Sequence, residues 1–189
     1  MKNKVVVSSL VMAALAIGLL NVAPLPAAQE QPKKAPATLR GILLEALHTT
    51  HDREDWFVPA RVALEGVTAD QASWRDGKEN HSIGQLAQHL LFWDRRALQQ
   101  FNGEKPAAFS GNNNETFESF TAKDWDAIVK QLDEVMTAWE KAVEAADDAR
   151  LAQTASTIEH IATHNAYHVG QILYVRKQQG SWNPEKGVK

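Results

Sequence analysis

The stretch IEHIATHNAYHVGQI, residues 158–172, sets His160, His164 and His168 at intervals of four in a chain that has seven histidines. Neutral imidazole is a strong ligand for divalent metals, and two imidazoles one helical turn apart can converge on one ion. At 100° per residue, His164 and His168 lie about 40° apart, on the flank of an inward stripe made by Ile158, Ile161, Asn165, Val169 and Ile172. A lone pair with this spacing also occurs on solvated and interfacial helix faces, so the spacing by itself leaves both readings open. His160, a turn further back, is rotated about 80° from His168, too far to share an ion comfortably. It is read as a pocket-rim residue or a plainly solvated one. The chain has no cysteine, so any metal must be held by nitrogen and oxygen.

A second histidine can meet this pair from another helix. In HSIGQLAQHLLFWDRR, residues 81–96, Ser82 and Gln85 form a capping box that starts a helix running to about Phe101. Its core stripe is Ile83, Leu86, Ala87, Leu90 and Ala97. His89 takes the flank of that stripe, and Trp93, one turn on, would floor the same pocket. His81 merely precedes the cap.

The elements that must position these residues are helical in pattern. A first helix starts at Leu39, with an apolar stripe through Ile42, Leu43, Ala46, Phe57, Ala60 and Leu64, a kink at Pro59 and an end at Gly66. Thr50 and Arg53 fall on that stripe, either near an open bundle end or as a polar pocket wall able to receive an anionic group. His48 and His51 sit on the opposite side and are read as solvated. A short turn, TADQASW, precedes the second helix. The loop NGEKPAAFSGNNNET is too polar and too punctuated for regular structure. A third helix opens at Thr121 with Asp124 and carries Trp125, Ile128, Val129, Leu132, Val135, Met136, Trp139 and Val143 on one face; Asp147 and Asp148 mark its end. A fourth runs from about Thr154 to Gln179 and closes at Gly180. No segment alternates with period two, so the fold class is all-α, an antiparallel four-helix bundle. The tryptophans, except Trp93, are read as core or loop anchors.

Two stretches, HSIGQLAQHLLFWDRR and HIATHNAYHVGQI, with a weaker echo in LEGVTADQASWRD, resemble the DinB/YfiT-like four-helix bundles. In that family a histidine on the second helix joins an HxxxHxGQ pair on the fourth to bind a divalent metal. The resemblance therefore implies a metal site on His89, His164 and His168, with Gly170 and Gln171 completing the pattern. The expected pocket residues are His160, Gln171, Trp93, Arg53 and Thr50. Three neutral ligands leave a coordination position for water or substrate, which suits a catalytic site, with zinc or nickel as the expected ion. The expected function is a metal-dependent enzyme of hydrolase type acting on a small-molecule substrate. The alternatives are a metal-dependent thiol S-transferase, as some relatives are, and a non-catalytic metal- or ligand-binding bundle, which could be a homodimer. Asp94 and Glu159 adjoin the motifs but point elsewhere on their helices, so the sequence identifies no general base.

Residues 1–28 combine Lys2 and Lys4, an apolar run from Val5 to Leu20, and a proline- and alanine-bearing end, the layout of a secretory signal. Residues 29–38 read as a disordered tether, 39–182 as the bundle and 183–189 as a tail. Without Lys2 and Lys4 the 20 basic residues fall to 18 against 23 acids, a net charge near −5 that speaks against nucleic acid as a partner. The expected location is exported, periplasmic or secreted, with no stable membrane insertion once the signal is cleaved; an uncleaved N-terminal anchor is the alternative. Mass spectrometry of the protein from its native host is expected to find an N-terminus near Gln29. Recovery of the full-length chain in the membrane fraction would support the anchor instead.

Overall fold

The computed structural model describes residues 37–187 except Lys78 and Ser119. The expected export segment and nearly all of the tether lie outside the described residues. Helix α1 spans Leu39–His51 and is capped by Thr38, whose hydroxyl accepts from the Gly41 N–H at 3.0 Å. A non-helical stretch of residues 52–59 follows, and then a short α2, Ala60–Leu64. The first helix is therefore interrupted and not merely kinked. Pro59 disfavours helical geometry at Val58 and itself takes the N-cap position of α2, the place in a helix start where its missing N–H costs least.

Leu43, Ala60 and Leu64 of the expected stripe are inward. Leu47 joins them in the core, whereas Ile42 and Phe57 from the expected stripe are exposed. Thr50 is buried, but its hydroxyl donates within the helix, to the Ala46 carbonyl at 3.0 Å and the Leu47 carbonyl at 2.9 Å. Arg53 is exposed in the stretch that follows. The solvated reading of His51 is overturned: only 2% exposed, its Nδ1 lies 2.7 Å from Glu140 and its Nε2 3.0 Å from Asp133. Two carboxylates from a distant helix draw the ring inward, and Arg61 shares Asp133 at 2.9 Å.

Helix α3, Ala69–Ser73, carries a capping box on Thr68 and Gln71, and α4, Ile83–Phe101, the expected one on Ser82 and Gln85. The polar loop after α4 is not wholly irregular: its end winds into a one-turn helix, α5, Glu115–Glu118. A 3-10 turn over Ala122–Asp124 leads into α6, Trp125–Ala145, and α7 covers Asp148–Gln178. Helix α7 starts earlier than the apolar pattern indicates because Asp147 caps it, accepting from the Arg150 N–H at 2.7 Å, and the Ala-rich turns that follow need no apolar stripe to be helical. Gly180, at φ 72, closes it in the left-handed region.

All the regular structure among the described residues is helical. Helices α1 and α4 each pack against both α6 and α7, so α1 stands diagonally from α4 and the α4–α7 seam forms one side of the bundle. Trp139, Leu90, Leu132, Leu151, Ile158 and Ile172 are fully buried between the four. Two arginines tie helix ends to this frame. Arg40 donates to the Val143, Glu144 and Ala146 carbonyls at the end of α6, and Arg176 to the Ala63 and Glu65 carbonyls at the end of α2. The stretch read as a tail holds a 3-10 turn, Pro184–Lys186, and Lys186 pairs with Glu65 at 2.6 Å. Trp125 and Trp139 are core anchors as expected, but Trp56 is almost fully exposed. Among the described residues no helix is long and apolar enough to cross a membrane.

The segment after α5 is pressed onto α4 at Gly84, where a Cβ would run into the Phe120 ring. Gly84→Ala is expected to displace that ring and lower stability by about 1 to 3 kcal/mol, the usual cost of overpacking, as read by chemical denaturation.

Candidate metal centre

The α4–α7 seam brings His89, His164 and His168 together. Their ring centroids are 5.1 Å (His89–His164), 4.6 Å (His89–His168) and 4.6 Å (His164–His168) apart. One nitrogen from each lies within 4.8 Å of the others, and the Nε2 atoms of His89 and His164 are 3.1 Å apart. Two nitrogens each about 2.0 to 2.1 Å from one ion are about 3.3 Å apart at a tetrahedral centre, close to the His89–His164 separation. The placement follows from sequence: Ser82 starts α4 in the phase that sends Leu86 and Leu90 to the core and His89 to their flank, while Ile161, Asn165 and Val169 set α7 the same way.

Hydrogen bonds outside the cluster decide which nitrogen each ring presents. Thr116 on α5 donates its hydroxyl hydrogen to the Asn113 carbonyl at 2.6 Å, so towards His89 it can only accept. His89 Nδ1–H therefore donates to Thr116 Oγ1, 2.5 Å away, and its Nε2 lone pair faces the cluster. His168 Nδ1–H likewise donates to Gln171 Oε1 at 2.6 Å, while Gln171 Nε2 donates to the Tyr167 hydroxyl at 3.2 Å. Such outer bonds fix tautomer and ring orientation around metal sites. Phe117, next to Thr116, is stacked between two imidazoles, 4.0 Å from His89 and 3.9 Å from His81.

Charge is kept out of the cluster. Burial, reinforced by His168 and His164, pushes His89 down to about 3; burial and then His168 push His164 to about 4; burial lowers His168. Desolvation disfavours the imidazolium, so the rings are neutral at pH 7 and keep their lone pairs for a ligand.

A cavity of about 760 Å³ opens onto the three rings. Its lining includes Trp93, Phe117, Tyr167, His160, Gln171 and Asn113, and no described residue of the lining is a carboxylate, lysine or arginine. Of the expected pocket residues, Trp93, His160 and Gln171 lie there, Trp93 donating to Asn113 Oδ1 at 3.2 Å. Thr50 and Arg53 do not: they belong to α1 and the break after it, and α1 is diagonal to α4. His160 is largely exposed at the rim, 3.6 Å from Glu159. The reading missed Thr116, Phe117 and His81. The one available signal was a threonine followed by an aromatic at the end of a polar loop, and nothing local ties that pair to His89, 27 residues earlier.

The donor set suits a divalent ion: neutral imidazoles, two with their second nitrogen already committed to an oxygen acceptor, and no cationic side chain in the lining. No curated protein and no solved structure matches the chain. The family model of the DinB superfamily matches residues 60–172, more than half of the chain and a span that includes all three histidines. With its helical fold and its histidine cluster on the α4–α7 seam, the chain belongs to the DinB superfamily.

Proposed function

We propose that this is an exported metal-dependent enzyme of hydrolase type, holding a divalent ion on His89, His164 and His168 and taking a small substrate into the cavity above them. The observation that carries the reading is the convergence of three neutral imidazoles on an open cavity whose described lining offers no carboxylate to complete a closed shell. A zinc or nickel ion there would supply Lewis-acid activation of water or of a carbonyl or phosphoryl oxygen.

The chain's own residues have distinct parts. Thr116 and Gln171 hold the His89 and His168 rings in their ligand tautomers. Trp93, Phe117 and Tyr167 exclude water from the apolar part of a substrate, and Asn113 and Asn114 offer polar contacts at the mouth. A lining with no formal charge does not compensate a dication, so the site favours substrates carrying an anionic or strongly polar group. His160, the exposed imidazole of the rim, is the residue we assign to proton transfer. This reading is favoured over a purely structural metal site by the open cavity, and over thiol transfer by the expected export, which separates the protein from cytosolic thiols.

The test is zinc or nickel loading, dialysis and elemental analysis, followed by an ester, amide and phosphoester screen. His168→Ala is expected to lose the metal and all turnover. His160→Ala is expected to keep stoichiometric metal while activity falls about 100-fold or more, the usual worth of a positioned acid–base group. Full metal retention in the His168 variant would contradict the ligand assignment.

Burial also sets the pH response. Protons compete with metal for His89 and His164 only as the pH falls towards about 4. Dialysis at pH 5.5 is therefore expected to leave the ion in place, although an unperturbed imidazole, with a pKa of about 6.5, is mostly protonated there. Release between pH 6 and 7 would show that the rings titrate as if solvated.

A further inference from the structure

Beside the histidines, the α4–α7 seam holds a second polar contact. Asp94 and Asn165 are 0% and 1% exposed. Asn165 Nδ2 donates to Asp94 Oδ2 at 3.1 Å, while Asp94 Oδ1 and Asn165 Oδ1 are both buried without a partner. An ionised carboxylate and an amide oxygen can only accept, so in that state the pair leaves two unsatisfied acceptors in the core. One proton satisfies both. A carboxylic acid whose Oδ1–H donates to Asn165 Oδ1 completes a ring of two hydrogen bonds with the carboxamide.

Among the described residues no cation compensates Asp94. From α6 the Trp139 indole N–H donates to its backbone carbonyl at 3.0 Å, and from α7 it meets Asn165. Burial raises the carboxyl to about 8, opposed only by the Asn165 hydrogen bond. With no exposure to solvent or cavity, Asp94 does not serve as a general base for the pocket.

We propose that Asp94 is a neutral carboxylic acid at physiological pH and forms a two-hydrogen-bond ring with Asn165 that locks the rotation of α7 against α4. Asn165 directly follows His164, and Asp94 lies five residues beyond His89. A single hydrogen bond constrains mainly a distance, whereas two in one plane also constrain rotation. The ring thereby holds His164 and His168 towards His89, a consequence that rests on the metal-site reading. Asp94 and Asn165 are positioning residues. The sign of the pH effect follows: between 3.8 and about 8 the folded chain binds a proton that the unfolded chain lacks, so this pair's contribution to stability falls as pH rises through that window.

Infrared difference spectroscopy of the metal-free protein tests the proton directly. The C=O band of a protonated carboxyl is expected at pH 7, absent in Asp94→Asn, and lost from the wild type as the pH passes about 8. Absence of the band at pH 7, or its persistence in Asp94→Asn, overturns the neutral acid. Zinc titration tests the positioning. Asp94→Asn can rebuild the ring as an amide pair and is expected to bind zinc like the wild type. Asp94→Leu cannot, and is expected to bind about 10 to 100-fold more weakly with its helical circular dichroism retained. Equal zinc affinity in Asp94→Leu and wild type overturns the positioning role. A wild type that binds no zinc yet shows the band overturns the metal reading and the positioning role with it, and leaves the neutral acid standing.

Discussion

His89 Nε2 and His164 Nε2 face each other across 3.1 Å in a partly buried seam beneath the cavity, and the rest of the site is arranged around that contact. Two lone pairs cannot be aimed at each other at this distance without something positive between them. A proton on His164 can serve, giving an N–H···N hydrogen bond, and so can a cation shared with His168. Protonating His89 as well would place an imidazolium in a poorly hydrated site, which burial opposes strongly. The seam therefore admits a neutral cluster or an ion-loaded one and resists a charged, ion-free state.

Holding that contact takes more than the three rings. Thr116 commits His89 Nδ1, and Phe117 stacks on the ring face, so the one-turn α5 fixes both the tautomer and the tilt of a side chain on α4. Helix α5 is held in turn by the Phe120 ring over Gly84 just beyond it and by the hydrogen bond from Thr116 to Asn113. On the other side, Gln171 commits His168 Nδ1. In the same seam, Asp94 and Asn165 join the two helices through a buried polar contact. The α1 half of the bundle is organised differently: Asp133 and Glu140 of α6 bracket the two ring nitrogens of His51, and Arg61 pairs with Asp133.

Local physics explains which parts were legible in the sequence. The capping box at Ser82 and the unbroken stripe of α6 from Trp125 to Val143 are signals within one or two turns, and the structure has both. The HxxxH spacing is of the same kind, which is why His164 and His168 were placed on the correct face. What failed depended on partners distant in the chain. Leu47, and not Ile42, joins Leu43 inward because α6 and α7 meet that side of α1; His51 is buried because two acids 82 and 89 residues away receive it. Thr116 and Phe117 sit in a polar stretch that packs on α4, a partner its own sequence does not announce. The early start of α7 was hidden because Ala-rich turns are helical by propensity and show little periodicity.

The measurement that bears most directly on the metal centre is X-ray absorption at the metal edge of the zinc-loaded protein. Three imidazole ligands at about 2.0 to 2.1 Å, with the outer-ring scattering of histidine and one further light atom not supplied by a histidine, is the expected first shell. A shell of oxygen ligands with one imidazole or none would mean that the ion binds elsewhere, and that the convergence of His89, His164 and His168 is a packing arrangement and not a metal site.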